Sequence, residues 1–155
     1  MTAAKQDLEI RALTSAIDTH LQSAGWGSIT FNDGFEVGDQ ITPPLIALHW
    51  LPNGPEPFQM GDTVQKYYQR VLQIDTYMET KGRVFALNDE LMDYLDLMAV
   101  SVVDPLNGNA IVGSITCQDT DSIYSEIAPP NLTNPKVIRW RGICRATLEI
   151  HYPNG

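Results

Sequence analysis

The stretch VIRWRGICRATLEIHY, residues 137–152, decides the fold. Ile138, Trp140, Cys144, Ala146, Leu148, Ile150 and Tyr152 alternate with Arg139, Arg141, Ile143, Arg145, Thr147, Glu149 and His151. Successive side chains of a strand point to opposite faces. This alternation predicts one long strand with a buried face and a wet face. Gly142 interrupts the buried row and is expected to mark a bulge or bend.

Working outward, residues 66–78 also repeat with period two. Tyr68, Arg70, Leu72, Ile74, Thr76 and Met78 share one face. Tyr67, Gln69, Val71, Gln73, Asp75 and Tyr77 share the other. Neither row is clearly wetter, so both faces are expected to be covered. LIALHWL, residues 45–51, is a buried strand bounded by prolines. Residues 28–31, 111–117 and 122–127 supply shorter strands, with QDTD as a hairpin turn before the last of these.

Two helices complete the pattern. Ile10, Leu13, Ile17 and Leu21 line one face of a helix over residues 4–24, and Ala16 and Ala24 widen the stripe. Lys5, Asp7, Glu9, Arg11 and Asp18 occupy its remaining surface, and Gly25 and Gly27 end it. A second helix starts at Gly82 or Asn88 and runs to Val100 on Leu87, Leu91, Tyr94, Leu95 and Met98. Asn88 is a natural N-cap there. Residues 32–44, 104–110 and 129–135 read as turns and loops. Residues 52–65 form a long hairpin arm or a flexible flap. The expected architecture is α+β: a mostly antiparallel sheet of about five or six strands with two main helices on one face. Residues 1–155 make a single domain.

Composition narrows the function. Nineteen acids against ten bases give a net charge of −9. Affinity for phosphate backbones comes from Lys and Arg displacing counterions, so a general binder of that backbone is not expected; no sequence-specific nucleic-acid partner is expected either. Docking on anionic lipid is disfavoured for the same reason, and no stretch approaches a membrane span. Cys117 and Cys144 make neither a disulfide framework nor a zinc site. They read as reduced thiols of a protein made in a cytoplasm.

No catalytic or cofactor signature is present. The chain has no phosphate loop before a helix, no GxSxG and no HExxH. His20, His49 and His151 are far apart in sequence and read as structural. Asp89, Glu90, Asp93 and Asp96 read as a solvated helix face, since a hard cation wants more oxygen ligands than they offer. Trp26, Trp50 and Trp140 read as packing in the core or at its rim.

Charge position says more than net charge. Residues 12–65 hold six acids and no Lys or Arg. Residues 1–135 carry six bases against eighteen acids, a balance of −12; residues 136–155 carry four bases against one acid, +3. Arg139, Arg141 and Arg145 face one side of the terminal strand. One reading pairs them with acids of neighbouring strands, such as Asp75. The other sets a basic stripe of one copy against acidic loops of another, including Glu56 and Asp62.

Five stretches together resemble a known family. They are IRALTSAIDTHL (10–21), PPLIALHWLP (43–52), YYQRVLQIDTYMET (67–80), LNDELMDYLDLM (87–98) and the terminal VIRWRGICRATLEIHY. Their order resembles the tail-terminator, or tail-completion, proteins of long-tailed bacteriophages. The R-x-x-Q-I-D-x-Y run, here Arg70, Gln73, Ile74, Asp75 and Tyr77, is similar to the corresponding strand of such proteins.

The resemblance implies an α+β fold without cofactor or enzymatic step. It implies a homo-oligomer, a hexameric ring on the head-proximal end of the tail tube. Such a ring ends tube polymerisation, meets the tail-tube protein and offers a docking surface to the head–tail connector. DNA would pass through it. The expected location is the neck of the virion tail, after synthesis in the host cytoplasm. Arg70, Asp75, Arg139, Arg141, Arg145, Glu56 and Asp62 are the expected subunit or tube contacts. A connector, a tail-tube subunit and a small-molecule enzyme are the rival readings.

Overall fold

The structure is a computed structural model describing residues 4–33, 43–51, 65–117, 123–128 and 140–155. The elements run α1 (Lys5–Ser23), β1 (Thr30–Asp33), β2 (Leu45–Trp50), β3 (Lys66–Met78), α2 (Lys81–Leu97), β4 (Ala99–Asp104), β5 (Ala110–Cys117), β6 (Tyr124–Ala128) and β7 (Trp140–Tyr152). The fold is α+β, as expected. Its seven-stranded sheet has the order β1-β2-β3-β7-β5-β4, with β6 also beside β7. Every pairing is antiparallel except β1 with β2.

The period-two strand is the axis of the sheet. β3 pairs with β7 along its whole length, from Lys66 opposite Tyr152 to Met78 opposite Trp140. The other flank of β7 is shared end to end. β6 takes Arg141–Arg145 and β5 takes Leu148–His151. Thirteen residues of alternating pattern are what allow one strand to serve three neighbours.

Both helices lie on one face of the sheet. Leu13, Ile17 and Leu21 of α1 and Val84, Leu87, Leu91 and Leu95 of α2 pack on Ile46, Leu48, Leu72, Ile74, Cys144, Ala146, Leu148 and Ile150. Burial of each large aliphatic side chain contributes about 1.5–3 kcal/mol. Trp26, Trp50 and Trp140 are half-buried and rim this core. Helix α1 ends in a Schellman motif: Trp26 N–H bonds to the Leu21 carbonyl at 2.9 Å and Gly25 N–H to the Gln22 carbonyl at 3.1 Å. Gly25 there has φ +89°, the left-handed conformation glycine adopts without strain.

Helix α2 starts at Lys81, one residue before the earlier of its two expected starts, and the Thr80 side chain accepts from Arg83 N–H at 3.3 Å. Other expectations are corrected. Asn88, expected as its cap, is buried in mid-helix and hydrogen-bonds to other elements instead. Helix α2 also stops at Leu97, and Ala99–Asp104 is a strand where helix end and turn were expected. That strand raises the count to seven. Gly142 marks no bulge, since the β3–β7 register runs through it unbroken. It marks a close approach. A Cβ there would stand 2.4 Å from Thr76 Oγ1, 2.6 Å from Asn88 Oδ1 and 2.7 Å from Val84 Cγ1. Glycine lets α2 sit down on β7.

Glu9, placed with the wet residues of α1, is fully buried. The QDTD turn and the loops over 52–64 and 129–135 lie outside the described residues.

Candidate functional site

Three expected contact residues meet on the sheet face opposite the helices. Asp75 on β3 and Arg141 and Arg145 on β7 have the same parity, set by the Asp75–Ile143 register pair. Arg141 Nη2 donates to Asp75 Oδ2 at 3.1 Å. Gln73 Nε2 donates to Asp75 Oδ1 at 3.0 Å. Arg145 Nε donates to Gln73 Oε1 at 2.7 Å. The result is a ladder, Arg141–Asp75–Gln73–Arg145, across two strands. Alternation in β3 and β7 puts all four side chains on one side, and antiparallel pairing brings them within reach.

The acid in this ladder is only 1% exposed, while the Arg141 side chain keeps 33% of its surface. The pairing reading of the arginines is therefore correct for Arg141. Its Nε is buried and finds no acceptor among the described residues. A buried donor without an acceptor costs free energy. His49 lies opposite Gln73 on β2. Burial pushes its imidazole below the usual histidine range; nearby Asp75 opposes this, and Arg141 and Arg145 add to it. The ring is thus neutral at pH 7. Leu45, Ala47 and Tyr77 form a small apolar cluster on the same face.

Arg70 belongs elsewhere. It lies on the helix-covered face, and its Nε donates to Glu9 Oε1 at 2.8 Å. Tyr152 O–H donates to the other oxygen of Glu9. The guanidinium of Arg70 stacks on the Tyr68 ring, and Lys5 Nζ lies 4.6 Å from the centre of the Tyr152 ring. Burial raises the Glu9 carboxyl above its usual range, against the lowering effects of Tyr152, Arg70 and Lys5. Burial and the bond to Glu9 raise the Tyr152 phenol as well. This cluster ties the start of α1 to the ends of β3 and β7. Residue type hid it: Glu9 stands four residues before Leu13, in line with the apolar stripe, but a carboxylate there reads as wet.

A second polar tie fixes α2. Thr76 Oγ1 donates to Asn88 Oδ1 at 3.1 Å, and Asn88 Nδ2 donates to the Glu126 carbonyl at 3.4 Å. His20 stacks on Tyr94 and meets Glu90 at 3.1 Å, joining the two helices. His151 stacks on Tyr67. Asp89, Asp93 and Asp96 are exposed. No group of three His, Cys, Asp or Glu among the described residues could hold a metal ion. Burial pushes the Cys144 thiol up to about 12, so it is inert at pH 7. No helix among the described residues is long and apolar enough to cross a membrane. Arg139, Glu56 and Asp62 lie outside the described residues.

No known protein family description matches the chain. Over 126 residues it is 25% identical to a phosphoribosylaminoimidazole-succinocarboxamide synthase of Methanoculleus marisnigri. The match covers 77% of this chain and 52% of that enzyme, so the chain spans about half the length of the relative it matches. That likeness is too distant and too partial to place the chain in the enzyme's family.

Proposed function

We propose that the chain is a structural ring protein of the phage tail neck, a tail terminator. It caps the head-proximal end of the tail tube, stops polymerisation and presents a docking surface to the head connector. The partners are further copies of the chain, the tube protein and the connector. The observation that supports this best is the arginine ladder on the sheet face without helices. Its charges are held in a fixed row by Asp75 and Gln73, and Arg141 keeps a third of its side-chain surface exposed. A rigid, preorganised row of donors suits recognition by acidic loops of a neighbouring copy. In this reading Arg70 acts within the fold, as the partner of Glu9.

Electron microscopy of the purified chain, alone and mixed with tail tubes, tests the proposal. Six-fold rings seated on tube ends are the expected result. Tubes that keep growing in its presence, with no density at their ends, would refute it. Arg141→Glu should weaken capping while the far-UV circular dichroism stays native.

The partial likeness to a synthase favours a second, enzymatic reading. It would centre on the neutral His49 beside Asp75 and the two arginines. Capping of tubes by His49→Ala at the wild-type level would set it aside.

A further inference from the structure

Strand β4 ends the sheet, and among the described residues β5 is its single strand partner. An open strand edge offers unpaired peptide groups to other chains, and proteins usually blunt such edges with charge, proline or bulges. Here a bulge at Val102/Val103 is present, but no charged residue occurs from Leu97 to Val103. Ala99, Ser101 and Val103 are exposed, while Val100 and Val102 are buried.

A groove of about 750 Å³ runs beside this edge, between β4 and α1. Its β4 wall includes Ala99 to Val103, apart from Val102. Its helix wall presents the small side chains Ala12, Ser15, Ala16 and Thr19 along the middle, with the larger Leu8, Arg11 and His20 toward its ends. Arg11 stands exposed at the rim.

We infer that this edge and groove receive a second copy of the same chain, through antiparallel pairing of β4 with β4 about a two-fold axis at Ser101. In that register Ser101 faces Ser101, Val100 faces Val102 and Ala99 faces Val103. Buried positions meet buried positions and exposed positions meet exposed ones, so the alternation of both strands is kept. No like charges oppose each other across the new pair, which most other contacts of so acidic a surface could not avoid. The same axis lays the two α1 helices antiparallel with their small faces together. A surface complementary to itself is what a two-fold contact needs. This contact differs from the head-to-tail contact of a ring, so it stands or falls separately from the proposed function.

Sedimentation velocity of the full chain over about a hundredfold range of concentration tests the pairing. The mass should rise from 17.2 kDa toward twice that value. Ser101→Lys and Ser101→Glu, each alone, set like charges face to face and should stay monomeric, with the thermal midpoint of the unsubstituted chain at its dilute, monomeric limit. Mixed together, they should restore the dimer. Ser101→Cys should link two copies on mild oxidation, because directly opposed residues lie within disulfide reach. The unsubstituted chain, with Cys117 and Cys144 in place, should not link. Monomer mass at every concentration would overturn the pairing. So would a dimer that tolerates Ser101→Lys and fails to link through Ser101→Cys.

Discussion

On the side of the sheet that carries the helices, β3 and β7 bury Leu72, Ile74, Cys144, Ala146 and Leu148. On the opposite side the same two strands bury Asp75 and Gln73 and leave Arg141 and Arg145 half-buried. The first face is stabilised by apolar area, with polar groups admitted only where they close a link, as Glu9 and Asn88 do. The second is ordered by hydrogen bonds along and between strands. One strand pair thus holds a core on one side and a charged, presentable row on the other. Polar groups are costly on the first face unless fully paired, and on the second their pairing fixes where charge points.

Substitutions should separate the two faces. The largest effect is expected on the helix side, from Glu9→Ala. It strands Arg70 and the Tyr152 hydroxyl, and should cost about 3–5 kcal/mol in chemical denaturation. Gly142→Ala comes next. Its Cβ meets Thr76, Asn88 and Val84 within contact distance, and the overpacking should cost about 1–3 kcal/mol in the same assay. On the other face, Asp75→Asn should cost only about 1–2 kcal/mol, because Arg141 keeps access to water. A loss as large as that of Glu9→Ala would erase the distinction between the faces.

The smallest effect is a slope in pH. Burial holds the Glu9 carboxyl above its usual 4.5 in the folded chain. The folded chain therefore binds a proton that the unfolded chain has released. Its contribution to stability is complete below pH 4.5 and is lost as pH rises through the folded value. Glu9→Gln should flatten that decline in denaturation curves taken from pH 4 upward. An unchanged slope would show that Glu9 titrates as an ordinary carboxylate.

Much of this was legible in the sequence. Strict alternation over residues 138–152 identified the central strand, and the Ile10–Leu21 stripe identified α1. The two even rows of residues 66–78 anticipated a strand covered on both faces, and Leu72–Met78 are indeed buried. The rest was hidden for local reasons. AVSVVD follows the apolar stripe of α2 without a glycine or proline, so the change of period from helix to strand is masked by continuous hydrophobicity. Asn88 is a good cap by type, yet Thr80, eight residues earlier, makes the bond. The roles of Gly142 and Glu9 depend on what another element places over them. Pattern within one segment does not carry that. For the site, the common face of Arg141 and Arg145 followed from parity, while their tie to Asp75 needed the β3–β7 register.

The position of β7 also sets the order of events on the ribosome. β3 emerges first, and its main partner follows roughly 60 residues later, about 3–12 s at ordinary rates of synthesis. By the end of that interval the nascent chain carries β2–β3 and β4–β5 as separate pairs, each missing the strand that joins them. Apolar residues destined for the core stay exposed until β7 arrives and joins both. Contacts so distant along the chain make folding slow. The same arrangement makes completion all-or-none: until β7 pairs, neither half of the sheet has its full set of strand partners.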